Sequence, residues 1–196
     1  MDTYQLDLNA LLNDKDHPVW DRSVPITYDS VFGIYNAYIT GDITEPVAYN
    51  ELCYVLEQAS EGEKIYLHIN TYGGHIDSAF KIIAAIKRCK ATVIARLTGT
   101  VASAGTIITL TCDELEVEDF TSFMIHNYST GAQGKGHEIV DYINFADKDL
   151  KKTFTHIYKG FLTTREINDV IKGKDMWLST EDIRKRWDKK QEKEDG

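Results

Sequence analysis

The chain has 196 residues, the length of one domain, which argues against a multidomain machine. Hydrophobic residues make up 42% of it and charged residues 27%, so a sizeable core is expected and an intrinsically disordered chain is excluded. The formal net charge of -9 repels phosphate backbones and anionic lipid headgroups, which argues against nucleic acid and membrane surfaces as partners.

Strand and helix patterns alternate through the first half of the chain. Residues 1–30 show no sustained periodicity and are predicted to form an N-terminal arm ahead of a domain over residues 31–187. The predicted strands are 35–41, 65–70 and 92–97, and the predicted helices are 48–60, 76–88 and 102–111. This alternation favours a parallel sheet built from right-handed βαβ crossovers, and therefore an α/β fold.

The second half of the chain has a different character. Its predicted elements are short strands at 114–118 and 122–126, a glycine-rich stretch at 129–136, and helices at 137–162, at 164–172 and from Ser179. The length of the helix at 137–162 predicts that it projects from the domain. Because residues 188–196 are nearly all charged, we expect a solvated, disordered tail there.

The cysteine pattern indicates a reducing compartment. Cys53, Cys89 and Cys112 are odd in number, widely spaced and without a CxxC pair, so neither a disulfide framework nor a zinc site is predicted. Residues 1–16 are polar and acidic, unlike a signal peptide, and no apolar stretch approaches the ~20 residues of a membrane helix. We therefore expect a cytoplasmic protein.

A candidate nucleophile follows the third predicted strand, in the segment GTVASAG. Ser103 stands there between small residues at the start of a helix, where backbone N–H donors are free and no bulky neighbour blocks an incoming carbonyl. This arrangement suits acyl transfer. The same pattern also fits a helix cap or a packing contact, and the segment lacks the GxSxG signature of a nucleophile elbow.

A serine nucleophile needs a base and an orienting acid. His126 ends the apolar strand FMIH, where a side chain can be aimed into a cleft. The acid cannot be chosen by pattern alone among so many carboxylates. Asp175 precedes the apolar residues 176–178 between two predicted helices, which favours its partial burial.

Taken together and in this order, five segments resemble the proteolytic subunit of Clp protease, ClpP. The segments are INTYGG before a helix, GTVASAG, MIHN, GAQG opening a long helix, and DMWLST. The family pattern runs INSPGG, GxAASMG, MIHQP, GAQG and DxFLSxxEA with comparable separations. The resemblance covers about residues 35–184 and implies a ClpP/crotonase-like fold, a spiral of repeated βαβ units with a projecting handle over about 129–162.

The resemblance also implies roles for residues of this chain. Ser103 would be the nucleophile, His126 the general base, and Asp175 the carboxylate that orients the imidazole. The oxyanion hole would consist of the backbone N–H groups of Gly74 and Ala104. The remaining substrate-binding positions would be Gly73, which allows close approach, and Gly131, Ala132 and Gln133, which would pair with a bound peptide.

A ClpP-like chain would be a serine endopeptidase that works inside a homo-oligomeric compartment. The resemblance implies heptameric rings stacked as a tetradecamer, small or unfolded polypeptides as substrates, and an AAA+ unfoldase as a possible partner. No metal or organic cofactor is implied, and the sequence has no Walker A motif of its own.

The sequence departs from the family pattern at several positions. Tyr72 and Tyr128 replace prolines beside the double glycine and after the histidine, and Ala104 replaces a methionine. The usual C-terminal strand, near the face where an unfoldase docks, is missing. A short, divergent member of this kind would suit a phage or another mobile genome.

Two alternatives remain open at this stage. A non-catalytic ring subunit could modulate an active paralogue, with Tyr72 and Tyr128 crowding the substrate groove. A crotonase-like acyl-CoA enzyme would share the glycine-rich turn and the oxyanion hole, but it would not need a serine, histidine and aspartate set.

Overall fold

The computed structural model describes residues 24–129 and 133–194, which form one mixed sheet with helices packed on it. The strands are β1 (Ile26–Asp29), β2 (Ile34–Ile43), β3 (Lys64–Gly74), β4 (Thr92–Ala102), β5 (Glu114–Val117), β6 (Ser122–Ile125) and β7 (Met176–Leu178). The helices are α1 (Asn50–Gln58), α2 (Ile76–Ile86), α3 (Ala104–Thr109), α4 (Gly136–Tyr158), α5 (Thr164–Ile171) and α6 (Thr180–Glu194).

The sheet follows the order β1-β2-β3-β4-β6-β7, and β5 also pairs with β4. The pairs between β2 and β6 are parallel, which confirms the predicted α/β fold, whereas β1 and β7 run antiparallel to their neighbours. β5 lies beside residues 94–97 of β4 and β6 lies beside residues 100–102. The carboxyl ends of β3, β4 and β6 therefore meet at one edge of the sheet, where ligand sites of α/β folds usually lie.

One apolar cluster joins the sheet to helices α1, α2 and α3. On β3 every second side chain is buried, as in Ile65, Leu67 and Ile69. On α2 the buried residues recur at helical spacing, with Ile82, Ile83 and Ile86 facing this core. Burial of this apolar surface fixes the strands on which the candidate site is built.

Two strands lie where none was predicted. β1 occupies part of the segment that was assigned to an N-terminal arm, and it pairs with β2 from Ile26↔Ala37 to Asp29↔Ile34. β7 has only three residues, Met176–Leu178, and pairs with β6. Both are short strands at the ends of the strand order, and partner strands far away in the sequence specify them more than their own periodicity does.

Helix α6 continues to Glu194 and so includes residues 188–194, which were expected to belong to a disordered tail. For these residues that prediction is wrong. Ser179 caps its start, since its hydroxyl oxygen accepts from the Asp182 N–H at 3.3 Å while the Ser179 N–H donates to Asp182 Oδ2 at 3.3 Å. Ile183 and Trp187, four residues apart on one face, are buried. Packing of this face against the core stabilises a helix most of whose other residues are charged.

Helix α4 packs unevenly along its length. Its buried residues are Ala146 and Tyr158, whereas Val140, Tyr142 and Phe145 are exposed apolar residues in its first half. The helix was predicted to continue to residue 162, but it ends at Tyr158, two residues before Gly160 with its φ of 91°. The first half of α4 therefore extends away from the core, as predicted from its length.

A bidentate ion pair connects α5 to α6. Arg186 Nη2 donates to Glu166 Oε1 at 2.7 Å and Arg186 Nη1 donates to Glu166 Oε2 at 3.1 Å. The N–H and hydroxyl of Thr163 also donate to Glu166 Oε2, both at 2.8 Å. The hydrogen bonds from Arg186 lower the pKa of Glu166 from 4.5 to about 2.

This pair predicts a pH-dependent contribution to stability. A carboxyl whose pKa falls on folding stabilises the folded state above its unfolded pKa, and this contribution is lost as the pH falls from about 4.5 towards 2. We expect Glu166→Gln to lower the melting temperature by roughly 3–6 °C at pH 7. Calorimetry should find that this difference shrinks between pH 4.5 and 2, and a difference that does not change with pH would contradict the assignment.

Candidate active site

Ser103 lies in the turn between β4 and α3, with backbone angles φ 53° and ψ -121°. A positive φ is uncommon for residues other than glycine and stores strain of about 1–3 kcal/mol. The Ser103 N–H donates to the Met124 carbonyl at 2.8 Å, and the Ser103 carbonyl accepts from the Thr106 N–H at 2.9 Å. The turn also needs small neighbours, because a Cβ on Gly105 would lie 2.5 Å from Thr71 Cγ2.

The His126 imidazole lies beside the Ser103 hydroxyl. Because β6 runs parallel to β4 and pairs Met124 with Ala102, the residues that follow the two strands emerge side by side. His126 Nε2 is 2.7 Å from Ser103 Oγ, a hydrogen bond. This is the contact that a histidine base needs in order to take the proton of a serine nucleophile.

Asp175 lies next to these two residues in the sheet but makes no hydrogen bond with either of them. The antiparallel pairing of Ile125 with Met176 places the following residue of β6 and the preceding residue of β7, His126 and Asp175, opposite each other. Among the described residues, Asp175 makes no hydrogen bond or ion pair with His126. Its side chain is exposed, so the predicted partial burial is wrong: β7 is an edge strand, and the turn through Gly173 that leads into it meets solvent.

Two glycines at the end of β3 approach the serine turn and β2. Gly73 has a φ of 98°, and a Cβ there would lie 2.6 Å from Ser103 Cβ and 3.1 Å from the Ala104 nitrogen. At Gly74 a Cβ would lie 2.1 Å from the Ile43 carbonyl oxygen. Ala104 is the first residue of α3, so its N–H has no acceptor within the helix. Backbone groups of β3 and α3 are thus packed together around Ser103.

An apolar pocket opens beside the Ser103 and His126 side chains. Its apolar walls come from α2, α3 and α4, through Ile76, Phe80, Ile107, Leu150, Phe154 and Ile157. Tyr128 also lines the pocket, whereas the Tyr72 side chain is 73% exposed and does not. Of the two tyrosines that replace family prolines, only Tyr128 therefore shapes the space next to the hydroxyl.

The predicted peptide-pairing segment is described only in part. Gln133 is exposed and lies three residues before α4. Gly131 and Ala132 lie outside the described residues.

Three residues of this region were not singled out from the sequence. Thr71 is buried, and its Oγ1 accepts a hydrogen bond from the Gly73 N–H at 2.9 Å, which fixes that glycine. Thr106 Oγ1 donates to the Ser103 carbonyl at 2.6 Å and also hydrogen-bonds the Tyr158 hydroxyl. The available signal for Thr106 was a hydroxyl residue three positions after the serine, at the start of a predicted helix.

The cysteine thiols and the acidic and histidine side chains were the other possible reactive or metal-binding groups. Burial raises the pKa of the thiols of Cys53, Cys89 and Cys112, which keeps them protonated and poorly nucleophilic. Across residues 24–129 and 133–194, no cluster of His, Cys, Asp or Glu side chains could hold a metal ion. Over the same described ranges, no helix has the length and apolar character needed to cross a membrane.

Comparison with known proteins gives a consistent result. A Clp protease family model matches residues 27–185. The ATP-dependent Clp protease proteolytic subunit 2 of Borreliella burgdorferi is 30% identical over 154 residues, which are 75% of this chain and 76% of that protein. Subunit 2 of Pseudomonas aeruginosa is 31% identical over 113 residues, or 56% of each chain.

Among solved structures, a mutant ClpP1 from Listeria monocytogenes matches with a TM-score of 0.63 and 26% identity, over 77% of this chain and 86% of that one. The family model thus spans most of the sequence, and the fold agrees with that of a ClpP structure. This chain therefore belongs to the Clp protease family.

Proposed function

We propose that this peptidase is a serine endopeptidase that cleaves small or unfolded polypeptides through an acyl-enzyme. The observation that carries the proposal is the 2.7 Å hydrogen bond between Ser103 Oγ and His126 Nε2, at the mouth of an apolar pocket. A serine and a histidine in this geometry are the nucleophile and base of acyl transfer.

In the proposed reaction, His126 Nε2 takes the Ser103 proton as Oγ forms a bond to the peptide carbonyl carbon. The N–H groups of Gly74 and Ala104 would donate to the oxygen that becomes negative, a contribution that typically changes turnover by about 10²–10³-fold per donor. The imidazolium then gives its proton to the leaving amine as the C–N bond breaks. Water, deprotonated by His126, releases the acyl group and restores the Ser103 hydroxyl.

Substrate binding would use the pocket and the segment before α4. The apolar walls from α2 and α4 suit an apolar side chain next to the scissile bond. An extended peptide would add a strand beside Gly131, Ala132 and Gln133, with main-chain hydrogen bonds that do not depend on its sequence.

We also propose that the chain assembles in the cytoplasm into heptameric rings stacked as a tetradecamer, that its partner is an AAA+ unfoldase, and that it needs no cofactor. The exposed apolar residues on the first half of α4, Val140, Tyr142 and Phe145, support a second protein surface against this helix. Such a compartment would restrict access to chains that are already unfolded.

A fluorophosphonate probe, which forms a covalent bond to activated serines, tests the proposal on the purified full chain. Peptide mapping should find the adduct on Ser103, and native mass spectrometry of the same sample should find seven- or fourteen-subunit particles. Rings with no adduct would instead support the non-catalytic ring subunit, which the absence of a hydrogen bond between Asp175 and His126 favours as the second candidate. A small unlabelled species would contradict both.

Asp175→Asn tests whether the third triad residue acts on His126. If Asp175 turns towards the imidazole during turnover, the variant should lose about 10²-fold or more in kcat, because the orienting charge is gone. Asp77→Asn is a matched control, since Asp77 is an exposed carboxylate at the start of α2 that carries the same charge. Equal turnover in Asp175→Asn and wild type would mean that Ser103 and His126 work as a dyad.

A further inference from the structure

Two buried hydroxyl groups connect the last residue of α4 to the serine turn. Tyr158 and Thr106 have exposed fractions of 1% and 0%. The Tyr158 hydroxyl hydrogen-bonds Thr106 Oγ1, and Thr106 Oγ1 donates to the Ser103 carbonyl at 2.6 Å. A residue 52 positions away from Thr106 in the sequence is thereby linked to the backbone of Ser103.

The two hydrogen bonds that link Tyr158 to the Ser103 carbonyl run in one direction. The Thr106 hydroxyl has a single proton, and it donates that proton to the Ser103 carbonyl, so its lone pair accepts from Tyr158. Burial raises the pKa of the Tyr158 phenol, which therefore keeps its proton and remains a donor. Each donation polarises the next hydroxyl, so the bond to the Ser103 carbonyl is stronger than an isolated one.

Hydrogen bonds to the Ser103 carbonyl restrain a strained part of the backbone. Ser103 has a φ of 53°, and strained backbone of this kind persists only where surrounding contacts hold it. Its carbonyl accepts hydrogen bonds from both the N–H and the hydroxyl of Thr106, at 2.9 and 2.6 Å. Relaxation of the turn would move Ser103 Oγ away from His126 Nε2.

We propose that Thr106 and Tyr158 are positioning residues whose hydroxyls hold the Ser103 turn in the conformation that reacts. This inference rests on the proposed function, because it concerns the reactivity of Ser103. It assigns to the carboxyl-terminal end of α4 a part in keeping the nucleophile against its base.

Replacement of Thr106 tests this relay, the hydrogen bonds that run from Tyr158 through Thr106 to the Ser103 carbonyl. Thr106→Val keeps the shape of the side chain and removes the hydroxyl, so we expect kcat for a fluorogenic peptide and the rate of fluorophosphonate labelling to fall about tenfold, with KM unchanged. Thr106→Ser keeps the hydroxyl and should restore both rates to within about threefold of wild type. Thr109→Val is the matched control, because Thr109 is equally buried in α3 and its hydroxyl donates to the Gly105 carbonyl at 2.9 Å, away from Ser103.

Tyr158→Phe tests the direction of the coupling. It should lower kcat about fivefold in the wild-type background and have no effect in Thr106→Val, because Tyr158 acts through the Thr106 hydroxyl. Additive losses in the double variant, or a Thr109→Val variant as slow as Thr106→Val, would overturn the relay and leave only a general packing effect.

Amide hydrogen exchange separates failure of the relay from failure of the proposed function. The Thr106 N–H donates to the Ser103 carbonyl, and loosening of this turn in Tyr158→Phe should accelerate its exchange about fivefold or more. This measurement needs no chemistry at Ser103. An unlabelled wild-type protein would refute the proposed function, whereas unchanged exchange at Thr106 would refute the relay.

Discussion

Ser103→Ala is expected to reduce peptide hydrolysis by about 10⁴-fold or more and to abolish fluorophosphonate labelling. The change removes the oxygen that we propose as the nucleophile, and with it the hydrogen bond to His126 Nε2. It leaves the N–H bond to the Met124 carbonyl and the carbonyl bond from Thr106 intact, so the fold and the assembly should persist. Turnover of a fluorogenic peptide, circular dichroism and native mass spectrometry measure these effects on one sample.

Ser122→Ala is the matched control for this experiment. Ser122 is a half-buried serine in β6 whose hydroxyl is 3.2 Å from Thr100 Oγ1, so it is close to the site in the sheet but not bonded to His126. We expect wild-type turnover from this variant. If Ser103→Ala kept its turnover while Ser122→Ala lost it, the nucleophile would be another serine.

Gly73→Ala is expected to lower kcat by about 10²-fold or more, because its methyl group would displace Ser103, the proposed nucleophile. The new Cβ would lie 2.6 Å from Ser103 Cβ, closer than two such atoms approach, and 3.0 Å from the Ala102 carbonyl oxygen, a tight contact. The φ of 98° adds backbone strain of about 1–3 kcal/mol. Labelling rate and thermal unfolding, measured together, separate displacement of Ser103 from loss of the fold.

Gly62→Ala is the matched control, because it introduces similar backbone strain without a steric clash. Gly62 has a φ of 90°, and a Cβ there would meet no atom within 4 Å. This variant should lose only the stability that backbone strain costs, about 1–3 kcal/mol, and should retain its labelling rate. Equal labelling of both variants would mean that the turn around Ser103 tolerates a methyl group at Gly73.

The parts of the fold that depend on local pattern could be predicted from the sequence. The buried parallel strands β3 and β4 are rich in β-branched and apolar residues, and helix α2 repeats its apolar residues at helical spacing. β7 could not be predicted, because three residues carry no measurable period and the strand exists only through its pairing with β6. The persistence of α6 depends on tertiary burial of Ile183 and Trp187, which composition does not reveal.

At the site, the order of the motifs pointed to Ser103, His126 and Asp175 as candidates. The distances and hydrogen bonds between them depend on the three-dimensional structure. The contact between Ser103 and His126 follows from the parallel pairing of β4 and β6, which no spacing in the sequence specifies. The exposure of Asp175 depends on the edge position of β7 and contradicts what its apolar neighbours suggested. The link from Thr106 to Tyr158 joins two helices, and neither residue is marked by a motif.

The pairing of β6 with β4 has a consequence for the order of events during translation. These strands meet along residues 100–102 and 122–124, and the imidazole that bonds the serine is 23 residues further along the chain. A ribosome therefore releases the Ser103 segment before its histidine, and it releases β7 some 50 residues later still. A growing chain therefore holds Ser103 without its histidine partner until most of the sheet has been synthesised, so the proposed hydrolytic site is completed late in the chain's own production.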